Sequence, residues 1–135
     1  MLGAKILATA QNPEKLGPVV SDLAEFANSP VNKTTFDAVA APSFPRRELD
    51  DRAVLAAGFE THVCVLQTVL ALRAQGRPVF VVADAAGSRR AESKETALRR
   101  MERHGAEIVT TEMVLFEWLG SADHPHFRDI SRLIK

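Results

Sequence analysis

Short apolar runs alternate with amphipathic stretches along most of this chain, a pattern that predicts parallel strands joined by helices. The clearest unit is central. Ala53 to Ala57 reads as a strand, Val63 to Gln75 as a helix ended by Gly76, and Val79-Phe80-Val81-Val82-Ala83 as a second strand. The last run lacks polar alternation, as expected of a parallel strand covered on both faces. Ser93 to His104 predicts another helix, with Ala97, Leu98 and Met101 on one side and Gly105 at its end. Ile108-Val109 makes a further strand, Glu112 to Leu119 a further helix, and Phe127 to Ile134 a short closing one. Upstream, Ile6-Leu7-Ala8-Thr9 is the first candidate strand, followed by a loop marked by Asn12-Pro13 and Gly17-Pro18. Val19 to Phe26 predicts a helix, Val31 to Thr35 a short extended piece, and Pro42 to Arg47 a proline-interrupted stretch.

These elements fit one domain. The chain has 135 residues, enough for one core but not for two. Seventeen basic residues balance seventeen acidic ones, so no net field favours nucleic acid or an anionic membrane. The arginine pairs 46–47, 89–90 and 99–100 are dispersed among acids and read as solvated faces. The N-terminus shows no secretory leader, and the longest uncharged stretch, Thr61 to Leu72, is too short to span a bilayer. A single cysteine cannot form an internal disulfide, which suits a reducing compartment, and a cytoplasmic location is expected.

That cysteine is the candidate for chemistry. Cys64 follows a strand, a glycine break at Gly58 and Thr61, a plausible N-cap, which places it in the first turn of a helix. Unpaired N–H groups and the helix dipole there favour an anion, and the thiolate is the nucleophilic form of cysteine. The opposing reading is a small buried hydrophobe, the commoner role of a free cysteine. Sites in open parallel sheets form at the carboxyl ends of strands. Cys64 lies just past one such end, Asp84 just past another, and Lys33 within reach of the same edge.

With these residues in hand, the chain resembles the isochorismatase-like cysteine hydrolase superfamily. The resemblance rests on Asn32-Lys33-Thr34-Thr35-Phe36, on Gly58-Phe59-Glu60-Thr61-His62-Val63-Cys64-Val65, on Val82-Ala83-Asp84-Ala85, on Thr110-Thr111-Glu112-Met113 and on His126-Phe127 to Lys135. Ala10-Gln11-Asn12-Pro13 and Leu16-Gly17-Pro18 match the isochorismatase-domain subgroup. The resemblance implies an α/β fold of three layers, Rossmann-like, with a parallel sheet and helices on both faces. It implies a triad of aspartate, lysine and cysteine in which Cys64 attacks a small amide-like or related substrate and water releases the covalent intermediate. Lys33 matches the triad lysine. A non-proline cis peptide is implied between Phe59 and Glu60, with the backbone N–H groups of Glu60 and Cys64 facing a developing oxyanion. A homo-oligomer, a dimer or larger, is likewise implied.

One departure stands out. The superfamily's triad aspartate ends an apolar first strand, and no such segment exists here; the chain opens at what resembles the second strand, Lys5 to Ala10. A strand and helix on the order of 30 residues or more would be missing, so the domain, residues 1–135, is expected to be N-terminally incomplete and to leave two strand edges exposed. Alternatives therefore stay open: a second chain covering the gap, Asp84 standing in for the base, a catalytically silent oligomerisation or small-molecule binding module, or a redox-responsive thiol. Other residues carry less. Asp123-His124-Pro125-His126 reads as a turn and helix start, and the metal-binding Asp-x-His pattern of nicotinamidase relatives is absent, so neither metal nor other cofactor is expected. His62 is expected to point outward rather than form a dyad with Cys64, and Ala86-Gly87-Ser88-Arg89 to cap the following helix. Met113 to Phe116 with Trp118-Leu119 is apolar nearly all round its helix, which suits core packing or burial against a partner subunit.

Overall fold

A computed structural model of the protein describes residues 2–49 and 52–134; Lys135, the last residue of the family-like C-terminal segment, lies outside them. All strand pairings among these residues are parallel, in two sheets. β1 (Thr9–Gln11) pairs with β2 (Val31–Lys33), and β3 (Val54–Phe59), β4 (Val79–Gly87) and β5 (Glu107–Val109) form the second sheet with β4 central. β1 and β3 thus each have a single described strand partner.

Alternation along β4 shows why its sequence is apolar throughout. Val79 and Val81 enter the main core with Val69 and Leu72 of α3 (Leu66–Ala74) and with Ala97 and Met101 of α4 (Ala91–Arg103). Phe80 and Val82 point the other way and pack with Val109 and with Val114 of α5 (Thr111–Leu119). Helices therefore cover both faces of the second sheet, the layered α/β arrangement expected. α4 ends where Gly105, at φ +85°, lets the Ala106 N–H return to the Met101 carbonyl at 3.1 Å. α6 (Phe127–Leu133) closes the chain and buries Ile130.

Several predicted elements shift. The first strand forms at Thr9–Gln11, not at Ile6–Thr9, because pairing follows β2: Thr9 lies opposite Val31 and Gln11 opposite Lys33, while Ile6 stays exposed. The extended piece at Val31 contracts to Val31–Lys33. The helix expected over Val19 to Phe26 shrinks to one turn, Ser21–Ala24, with Val20, Leu23 and Phe26 exposed; no apolar face is buried to support a longer one. A second single turn, Pro13–Leu16, replaces part of the expected loop. Arg46–Leu49 is a 3₁₀ turn. β4 extends past Ala83 to Gly87 because its pairing with β3 resumes after a register shift, with Gly58 opposite Ala86 and Phe59 opposite Gly87. Gly58 sits at this irregularity with φ +124°, a backbone region that disfavours side chains.

Candidate functional site

β3 leads directly into the turn that carries Cys64. The Phe59–Glu60 peptide bond is cis, and Thr61–Val65 forms a π-helical turn that runs into α3. The wide turn is closed by the Val65 N–H donating to the Glu60 carbonyl at 3.3 Å, which also accepts from the Val63 N–H at 3.2 Å. Cys64 therefore lies in a π turn rather than in the first turn of an α-helix. Thr61 is not the N-cap. Its side chain is wholly buried and its hydroxyl donates to the Gly87 carbonyl at 2.7 Å, tying the turn to the end of β4. The position before the π turn is Glu60, which makes no side-chain cap.

Lys33, the last residue of β2, is 6% exposed. Its ammonium donates to Gln11 Oε1 at 2.6 Å, to the Thr35 carbonyl at 3.0 Å and to the Phe36 carbonyl at 3.3 Å. Three neutral acceptors thus satisfy its three donors, as burial of an ammonium requires. None of the described ion pairs includes Lys33.

Gln11 ends β1, opposite Lys33 in the strand register. Its Nε2 donates to the Thr34 carbonyl at 2.8 Å, which fixes the amide so that Oε1 faces the site. The Cys64 thiol donates to that same Oε1 at 3.7 Å. One oxygen at the end of β1 therefore gathers the buried cation of β2 and the thiol of the turn that follows β3. The half-buried Cys64 is a free thiol. Sequence reasoning missed Gln11 as a site residue, although it stands in the motif Ala10-Gln11-Asn12-Pro13 and ends a strand, where such sites form.

The remaining candidates fall elsewhere. Asp84 lies within β4 rather than past its end and is committed to the start of α5. Its carboxylate accepts the Thr111 N–H at 2.8 and 3.1 Å and the Thr111 hydroxyl at 3.0 Å. The bond from the Thr111 N–H, helped by that hydroxyl, holds Asp84 below the usual carboxylate value against a smaller opposing cost of desolvation. His62 is half-buried and drawn back against the turn rather than turned outward, its Nδ1 3.0 Å from Ser88 Oγ and 3.1 Å from Glu60 Oε2. None of the described hydrogen bonds joins it to Cys64. Ser88 is thus drawn to His62 instead of capping α4, whose N-cap position, Arg90, makes no side-chain cap. His124 Nδ1 accepts the His126 N–H at 3.1 Å inside a turn, and no cluster of potential metal ligands occurs among the described residues.

Comparison with known proteins bears on this arrangement. The isochorismatase domain matches residues 4–113. Isochorismatase domain-containing protein 2A of Mus musculus is 40% identical over 139 residues, which cover all of this chain and 66% of that protein. A solved structure called MAR1 ribonuclease, from Caenorhabditis elegans, superimposes with a TM-score of 0.81 at 36% identity over 95% of this chain and 68% of that one. The nicotinamidase of Bacillus subtilis is more distant, with a TM-score of 0.55 and 26% identity over 66% of this chain and 50% of its own. The chain spans about two thirds of the length of the mouse relative. No helix among the described residues is long and apolar enough to cross a membrane. The matched domain, the relatives and the parallel α/β architecture agree: the chain belongs to the isochorismatase family.

Proposed function

We propose that this chain carries a thiol-dependent hydrolase site acting on a small amide or related carbonyl compound. The observation that carries the reading is the shared contact of Gln11 Oε1 with the Cys64 thiol and the buried Lys33 ammonium. A sulfur nucleophile with a fixed positive charge nearby suits attack on a carbonyl carbon. Family membership supports hydrolysis, and likeness to a nicotinamidase supports an amide substrate.

In this reading Cys64 Sγ bonds to the substrate carbonyl carbon, and the backbone N–H groups of Glu60 and Cys64 receive the negative charge that develops on oxygen. Collapse breaks the C–N bond. The amine departs with the proton that the thiol gives up, leaving a thioester on Cys64. Water then cleaves the thioester, and the products are a carboxylic acid and the restored thiol. Lys33 stabilises negative charge on sulfur through the first step. Asp84 supplies no base here, because its carboxylate is occupied at Thr111.

The exposed apolar side chains of α5, Met113, Phe116 and Trp118, support a homo-oligomer of two or more copies. Its partner in catalysis is a small molecule rather than a nucleic acid, consistent with the zero net charge.

The test is a screen of primary amides, including a pyridine carboxamide, beside an RNA oligonucleotide, with wild-type protein and Cys64→Ala. Amide turnover in the wild type and its loss in Cys64→Ala, with a thioester adduct on Cys64 seen by mass spectrometry, is the expected result. Turnover unchanged in Cys64→Ala removes the mechanism. Cleavage of RNA without amide turnover replaces the substrate class.

A further inference from the structure

The geometry points to Gln11 as a positioning residue that keeps the Lys33 ammonium engaged with its own side-chain oxygen and turns that same oxygen toward the Cys64 thiol. The bonds run in one direction. Gln11 Oε1 is an acceptor for both neighbours, at 2.6 Å from Lys33 Nζ and 3.7 Å from Cys64 Sγ. The Gln11 Nε2 bond to the Thr34 carbonyl opposes an amide flip that would turn donors toward sulfur. An S–H group gains from facing this oxygen, whereas a thiolate would face its negative end. Lys33 has all three N–H donors placed on other acceptors, so none remains for sulfur until Gln11 is displaced.

Lys33 reaches the shared oxygen from β2; around the turn that carries Cys64, His62 Nδ1 lies 3.1 Å and Arg89 Nε 3.9 Å from Glu60 Oε2. A substrate carbonyl that displaces the Gln11 amide would free one Lys33 donor at the moment when sulfur must become negative. The nucleophile would then be activated by occupancy of the site rather than standing activated in its absence. This consequence for turnover rests on the proposed hydrolase reading. The effect on the thiol does not.

The experiment is the rate of Cys64 alkylation by iodoacetamide across pH 6 to 10, in wild type, Gln11→Leu and Gln11→Glu, with circular dichroism confirming the fold of each. One cysteine makes the signal unambiguous. Gln11→Leu removes the acceptor and frees a Lys33 donor, so alkylation at neutral pH should rise by about threefold, the scale of one net hydrogen bond. Gln11→Glu puts a carboxylate between cation and thiol, so alkylation at neutral pH should slow by about tenfold or more. Opposite signs are the mark of this role. A structural role alone moves both variants the same way by loosening the turn, and that outcome, or no change in either, overturns the inference. If either variant fails to fold, Gln11→Asn, whose shorter amide withdraws the oxygen, must behave as Gln11→Leu does or the inference fails. Opposite shifts without amide turnover in the wild type would leave the role of Gln11 standing and remove the hydrolase reading alone.

Discussion

The two sheets are built on unequal foundations. β3, β4 and β5 lie among α3, α4 and α5, with Met101, Val69 and Val81 fully enclosed. The β1–β2 pair has three residues per strand and two single-turn helices beside it, with Leu16, Val20, Leu23 and Phe26 open to solvent. Cys64 comes from the well-packed half, Lys33 and Gln11 from the sparse one, so the candidate site exists only where the sparse half is docked. The docking surface is the segment after β2: Ala38, Val39, Ala41 and Phe44 enter the same core as Leu72 and Met101. Among the described residues it is pinned from the side by the Ala38 N–H donating to Thr68 Oγ1 of α3 at 2.9 Å. Isolated two-stranded sheets are marginal in water, so this packing decides whether Lys33 meets Cys64 at all.

The largest effect should follow from emptying the shared core. Met101 is fully buried in the core cluster to which both halves contribute, and Met101→Ala leaves a cavity costing about 2–5 kcal/mol. Chemical denaturation should show this as a lower midpoint. If the core is shared as the packing indicates, the β1–β2 half and the β3–β5 half lose stability together. A Met101→Ala protein in which amide exchange accelerates only around α4 would separate the halves and break the comparison.

A smaller change should sharpen it. Thr68→Val keeps the shape of the side chain and removes the acceptor for the buried Ala38 N–H, at a cost of about 1–3 kcal/mol. The expected outcome is faster amide exchange over residues 31–44, with α4 and β4 unaffected, and a change in Cys64 alkylation as Lys33 loses its fixed place. Uniform acceleration across the chain would mean that the segment is not a separately held unit.

The same inequality governs what could be read from the sequence. The second half was legible because each element buries a face: the unbroken run Val79 to Ala83 marks a strand covered on both sides, and Ala97, Leu98 and Met101 mark one face of α4. Before β2, several apolar residues do not report burial. Leu23 and Phe26 resemble a helix face but stay in solvent, and the strand is set by pairing with β2, which no local pattern encodes. Cys64 and Lys33 were marked by motif, and the structure brings both onto one oxygen. Gln11 was legible only as part of a motif, because its part depends on a bond to Thr34, 23 residues away, that orients the amide. Thr61 was misassigned for a similar reason: a threonine before a helix suggests a cap, but β4 offers its hydroxyl the Gly87 carbonyl.

The smallest effect belongs to Asp84, on the far side of the well-packed half. Its carboxylate fixes the first residue of α5, and its value is lowered in the folded state from 3.8, chiefly by the Thr111 N–H. A group with a depressed folded value binds its proton more weakly when folded than when unfolded, so unfolding takes up a proton and acid favours it. Its contribution is therefore whole above the unfolded value near pH 4 and is lost as pH falls through the lower folded value. Trp118, the only tryptophan, lies on α5 and reports that helix directly. Urea unfolding followed by its fluorescence should show a midpoint that falls between pH 5 and pH 3 in the wild type and falls less in Asp84→Asn. At pH 7 the two should differ little, since an asparagine oxygen still accepts from Thr111. Cys64 alkylation should be the same in both, because α5 packs against the face of β4 opposite the shared core. A change in alkylation in Asp84→Asn would tie α5 to the thiol and end the distinction between a scaffold-anchoring Asp84 and the site at the seam of the two sheets.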